Sequence, residues 1–190
     1  MTESVFRTLH PFHVRLLILL LAVAGSARAE KIWLFERGQA LVSVEAGPRD
    51  ARFSAVSLGL TGLLRELESG LFQADVRLTL SSFTTGSVSR DQRVREGSDA
   101  ALNPEIVFSG VSVSAPQEGA LRLRGTLTLL GQSRSLEIPL SLVRAGGSHY
   151  AHASFTFHLR DFGVDLPAAA DEVRVDLDAG LRPAGAVASR

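Results

Sequence analysis

Beyond Glu30, apolar and polar side chains alternate with period two, and Gly, Pro, Asn and Ser interrupt the pattern at short intervals. An extended chain sends successive side chains to opposite faces, so the pattern describes half-buried strands rather than helices. Val76-Arg77-Leu78-Thr79-Leu80-Ser81 shows it cleanly. So do residues 121–129 and Leu136-Glu137-Ile138-Pro139-Leu140-Ser141-Leu142, with Gly131-Gln132-Ser133 read as the hairpin turn between them. Pro139 falls on the outward parity and has no N–H for a ladder, which predicts a bulge or a barrel opening there. With 76–83, 121–130 and 136–143, further strands over 41–44, 52–58, 105–113, 148–159 and 173–181 bring the expectation to eight. Many short strands separated by turn residues specify an all-β sandwich or barrel, and no βαβ alternation is visible.

Two segments break the alternation and are predicted as short helices lying at one barrel opening. They are Gly62-Leu63-Leu64-Arg65-Glu66-Leu67 and the run from Ser89 to Gly97, in which Ser89 caps the start and Gly97 ends the turn. The barrel domain is expected to span 30–181. Residues 182–190, rich in Pro, Gly and Ala without periodicity, are expected to form a mobile tail.

The compartment is read from the first residues. Arg7, His10, His13 and Arg15 precede the apolar run Leu16-Leu17-Ile18-Leu19-Leu20-Leu21-Ala22-Val23-Ala24, and Ala27-Arg28-Ala29 supplies a small-x-small cleavage pattern. The run is shorter than the roughly 20 residues a membrane helix needs. Residues 1–29 are therefore expected to be a cleaved secretory signal, which makes the mature chain periplasmic or secreted with no membrane span. Loss of Arg7, Arg15 and Arg28 against Glu3 leaves it slightly acidic. Without a basic stripe interleaved with aromatics, the footprint of a nucleic-acid binder is missing.

Catalytic chemistry finds little to use. Cysteine is absent, which removes disulfides, thiolate nucleophiles and Cys-ligated zinc. Three histidines follow the signal, His149, His152 and His158; on one strand the first points away from the other two, so they cannot form a three-ligand metal site. Asp161, Asp165, Asp171 and Glu172 show no spacing that pairs two carboxylates beside a nucleophile. There is neither a Gly-x-Ser-x-Gly elbow nor a phosphate-cradling glycine loop. The expectation is a protein without catalytic residues, metal or obligatory cofactor.

What stands out is the apolar face. Phe53, Leu78, Leu80, Phe108, Leu123, Leu127, Phe155 and Phe157 fall on strand positions able to converge inside a barrel. An eight-stranded barrel is either filled by its own side chains or holds one small ligand. Period alone does not separate a hollow binder from a solid barrel whose surface docks another envelope protein, nor a monomer from a homodimer.

Four stretches, in order, resemble the YceI-like family of lipocalin-like, polyisoprenoid-binding periplasmic proteins. They are Phe53-Ser54-Ala55-Val56-Ser57-Leu58-Gly59 with Gly62 and Gly70; Thr85-Gly86, then Arg90-Asp91-Gln92-Arg93-Val94-Arg95 and Asn103-Pro104-Glu105-Ile106-Val107-Phe108; residues 123–139; and Arg160-Asp161-Phe162-Gly163-Val164. The resemblance implies an eight-stranded antiparallel barrel whose elongated interior takes an isoprenoid lipid, an isoprenoid quinone or a fatty-acid-like amphiphile. Ser57-Leu58 stands where the family usually carries Lys-His, Arg93 where it carries His, and Ala100-Ala101-Leu102 where it carries an aromatic pair. Arg90, Asp91 and Arg93 are thereby marked either as contacts to a ligand's polar end or as ties between the helix and the barrel. The same choice stands for Arg160 and Asp161.

Overall fold

A computed structural model describes residues 31–46, 53–97, 102–145, 148–164 and 171–185. The expected signal segment, Phe53's side chain, the side chain of Arg93, Ala100-Ala101 and Asp165 lie outside the described residues. The strands are β1 (Lys31–Ala46), β2 (Phe53–Ser57), β3 (Thr61–Glu66), β4 (Phe72–Thr79), β5 (Glu105–Ser112), β6 (Ala120–Leu129), β7 (Gln132–Ala145), β8 (Ser148–His158) and β9 (Glu172–Pro183). One helix, α1 (Val88–Gly97), and two short 3-10 turns accompany them.

All strands are antiparallel to their neighbours, and β1 closes the sheet by pairing with β9. Trp33 and Leu34 pair with β3 on one edge and β9 on the other, whereas residues 42–45 pair with β2 and β9. β2 and β3 therefore share one edge of β1 and act as a single kinked strand. The result is an eight-stranded closed barrel, the all-β architecture the alternation predicts.

Three differences from the sequence expectation have local causes. Residues 62–67 are not helical; Thr61–Glu66 is β3, paired with both β1 and β4. Gly62 has φ 144°, and a Cβ there would stand 2.2 Å from the Asp75 carbonyl oxygen, so the segment needs glycine to approach β4. β1 is far longer than 41–44, because a bulge between Phe35 and Ala40, with Gly38 at φ 80°, resets the side-chain parity and hides its first half. The β6–β7 hairpin turns on Leu130-Gly131 rather than 131–133: both have positive φ, 50° and 75°, and Leu129 pairs with Gln132. Two positive-φ residues match the right-handed twist of the flanking strands.

At the edges the differences are smaller. α1 starts at Val88, and the Ser87 carbonyl, rather than Ser89, accepts its first bonds, from the Arg90 and Asp91 amides. β9 runs on to Pro183, and the Ala184 amide donates to the Ile32 carbonyl, so the strand outlasts its expected end by two residues.

Inward positions follow the pleat. On β6, Leu121, Leu123, Leu127 and Leu129 are buried, while Arg122, Arg124 and Thr126 face solvent. Pro139 faces outward opposite Arg122 within an unbroken register, so neither a bulge nor an opening forms there. One apolar cluster runs the length of the interior. No helix among the described residues is long and apolar enough to cross a membrane.

Candidate ligand-binding cavity

The interior is not solid. A cavity of about 130 Å³ lies in the half of the barrel nearer α1. Leu78, Phe108, Leu123, Leu127, Phe155 and Phe157 bound it, six of the eight positions the alternation singles out. Leu80 does not: β4 ends at Thr79, and Leu80 opens a 3-10 turn whose next residue but two, Phe83, reaches the cavity instead. The backbone of Phe53 pairs with Ala46 at the start of β2.

The empty space has a geometric origin. Ala74 on β4 and Ala153 on β8 both line the cavity, and these strands stand four places apart around an eight-strand barrel, on opposite walls. Two facing methyl groups leave the axis unfilled between larger neighbours. Val42, Val76, Ile138 and Leu177 also line the wall and are not among the positions singled out from the sequence.

Every lining residue except Arg77 is uncharged and apolar. Arg77 contributes only from the wall, since its side chain is 66% exposed and its guanidinium lies 3.5 Å from Glu105. Among the described residues, the cavity therefore offers no carboxylate, imidazole or ammonium for acid–base work, and nothing to compensate an ion buried in it. What it offers is apolar contact.

The end beside α1 is tied by hydroxyls and one carboxylate. Asp91 is buried and accepts from the Thr85 amide at 2.9 Å, the Thr85 hydroxyl at 2.6 Å and the Thr84 hydroxyl at 3.2 Å. Thr84 in turn exchanges two backbone hydrogen bonds with Val56 of β2. Asp91 thus fastens α1 to the strand below it, while Arg90 is exposed. Ser57 is buried; its hydroxyl is 2.6 Å from that of Ser82, and it accepts from the Gly59 amide at 3.0 Å.

At the neighbouring end, Asp171 gathers the 3-10 turn after β8. Arg160 Nε lies 2.6 Å and His158 Nδ1 3.0 Å from its carboxylate, and the Arg160 amide donates to the other oxygen. Gly163, at φ 73°, ends that turn in the left-handed conformation. Phe162 is buried beneath it, edge-on to Phe157 at 5.4 Å.

The outer wall carries the charge. Glu137 sits between Arg122 at 3.0 Å and Arg124 at 3.1 Å, and their hydrogen bonds hold its carboxyl below the usual glutamate range. Asp176 is likewise lowered, first by the Ser154 hydroxyl and then by Arg174. His152 is 2.8 Å from Asp178 on the same outer face, whereas His149 points inward, as strand parity requires.

A YceI-like domain matches residues 39–181. The chain belongs to the YceI-like family. Solved structures carry the same fold at low identity. BcnA of Burkholderia cenocepacia superposes with a TM-score of 0.69 at 16% identity, over 77% of this chain and 98% of the other. A polyisoprenoid binding domain from Saccharophagus degradans, implicated in plant cell wall breakdown, gives 0.64 at 13%, over 79% and 97%. The YceI protein of Campylobacter jejuni gives 0.51 at 15%, over 66% and 83%. A search of curated proteins finds no match. In this YceI-like chain Ser57 sits in a closed hydroxyl network rather than on the cavity wall.

Proposed function

We propose that this YceI-like protein is a non-catalytic carrier that takes an apolar, isoprenoid-type chain into the barrel. The observation that supports this reading most is the cavity between Leu127 and Phe155, where a solid interaction module would have packed side chains. The name of the Saccharophagus neighbour, a polyisoprenoid binding domain, agrees with it.

Size and chemistry define the guest. Apolar cavities of about 150 Å³ stay dry and admit a benzene-sized group. A cavity of about 130 Å³ takes a guest of that order without rearrangement. A longer isoprenoid or quinone tail enters as the aromatic side chains at the α1 end, Phe83 and Phe157, give way. Each buried methylene contributes about 0.8 kcal/mol, so a few isoprene units suffice for useful affinity. Export under a signal at 1–29 would place the carrier in the periplasm, with membrane lipids as the source of its ligand.

The test is native mass spectrometry of the mature protein purified from a bacterial envelope, followed by organic extraction and mass analysis of what is released. A stoichiometric isoprenoid or similar lipid is the expected result. An empty barrel that also refuses added farnesol and longer polyprenols overturns the reading in favour of a protein-docking role.

A further inference from the structure

The barrel has a second recess at the end opposite α1, and its chemistry differs from that of the cavity. It measures about 260 Å³ and shares no lining residue with the first. The partition is visible in the register. On β8, Ala151 lies between Ala153 of the cavity and His149 of the recess; on β9, Ala179 lies between Leu177 and Leu181. Both alanines are buried, as is Leu121, and none of the three lines either space.

Aromatic rings and one carboxylate distinguish this recess. Trp33 lies 5.9 Å from Phe72 in a stacked arrangement and 5.8 Å from the tilted ring of His149. Glu66 lines the same recess, its side chain 18% exposed, and the Lys31 ammonium sits on it at 3.1 Å. Lys31 itself is 56% exposed and approaches from the solvent side. A π-rich wall beside a half-buried carboxylate is the chemistry that recognises an organic cation: ring faces attract the positive charge, and the carboxylate accepts its N–H bonds. The Lys31–Glu66 pair shows that this carboxylate already accepts an ammonium group, one of the chain's own.

We propose that the Trp33–Phe72–His149–Glu66 recess is a binding site for a small hydrophobic amine, which displaces the Lys31 ammonium from Glu66 while its apolar part packs on Trp33 and Phe72. An exposed lysine on a flexible stem is a weak competitor, because such pairs contribute little and are screened by salt. The site is distinct from the apolar cavity, since the two spaces share no lining residue. Among the described residues, the charged and titratable groups facing it are Glu66, Lys31 and His149.

Trp33 is the only tryptophan in the chain, so its fluorescence reports on this recess alone. The experiment titrates the full mature protein with 2-phenylethylamine and, separately, with its neutral isostere 2-phenylethanol. The expected result is roughly tenfold tighter binding of the amine, loss of that preference in Glu66→Gln, and stronger amine binding in Lys31→Gln, with unchanged far-UV circular dichroism in both variants. Equal binding of amine and alcohol, no response to either, or a preference that survives Glu66→Gln overturns the proposal. Should Glu66→Gln not fold, Lys31→Gln decides alone: unchanged or weaker amine binding overturns it. Farnesol uptake, measured in parallel, reports on the upper cavity, so failure of the carrier reading shows separately.

Discussion

Gly110 of β5 and Gly125 of β6 face each other as cross-strand partners, and neither has room for a side chain. A Cβ on Gly125 would stand 2.2 Å from the Ser109 carbonyl oxygen and 2.5 Å from the Gly110 Cα. One on Gly110 would meet the Phe108 ring at 2.8 Å. The paired glycines let two backbones approach as the wall bends, and the ring of Phe108 covers the gap. Gly125→Ala is therefore expected to destabilise the barrel by about 1–3 kcal/mol, the range for overpacking. Adding Gly110→Ala should cost less than the sum of the two, since one displacement of the strands relieves both. Urea denaturation of the two single variants and the double variant measures the coupling.

Asp91 makes the next prediction. Its carboxylate is the acceptor for the Thr85 amide and both threonine hydroxyls, so Asp91→Ala strands donors in a half-buried corner. A loss of about 1–3 kcal/mol follows, and Asp91→Asn, which keeps one acceptor oxygen, should fall between. Because these bonds hold α1 and Thr84 against β2, hydrogen exchange should accelerate first over 84–92. A uniform acceleration across the barrel would contradict an anchoring role.

How much of this was legible in the sequence depends on what each residue's position needs. Leu78, Phe108, Leu123, Leu127, Phe155 and Phe157 were legible because strand parity alone fixes a face, and their strands run without a break through those positions. Leu80 packs against the core from the 3-10 turn that follows β4 rather than from the strand itself, because β4 stops one residue earlier. β3 was hidden by Leu63-Leu64, two adjacent apolar residues of which only Leu64 is buried. Trp33 and Phe35 were hidden by the β1 bulge. Whether the barrel is hollow lies outside any pattern of polarity. It depends on Ala74 and Ala153 lining the cavity from opposite walls, a matter of volume and of residues 79 apart in the chain.

The outer wall gives a pH dependence with a definite sign. Glu137 titrates below its ordinary value because Arg122 and Arg124 hydrogen-bond its charged form. A carboxyl depressed in the folded state adds stability above its unfolded pKa, and that contribution disappears as pH falls through the lower folded value. Stability should therefore decline on acidification from about pH 5 towards 3, and Glu137→Gln should flatten that part of the curve while leaving the region near pH 7 almost unchanged. The pair is at the surface, so raising the salt concentration should shrink the difference. Chemical denaturation of both proteins across this pH range, at low and high salt, measures it.

Filling and enlarging the cavity should move stability and binding in opposite directions, which separates a ligand site from a packing defect. Ala153 presents a methyl group to the empty space and is buried. Ala153→Leu places extra methylenes where there is room, so stability should rise by about 0.5–2 kcal/mol, as cavity-filling substitutions commonly do. The same atoms occupy the guest's place, so uptake of farnesol should fall more than tenfold. Leu127→Ala does the reverse: it removes a buried side chain at a cost of about 2–5 kcal/mol and widens the cavity, so the less stable protein should accept bulkier isoprenoids. A fold damaged at random loses stability and binding together. Thermal denaturation paired with ligand titration on both variants distinguishes the outcomes, and unchanged uptake in a stabilised Ala153→Leu would show that the guest does not occupy the space between Ala153 and Ala74.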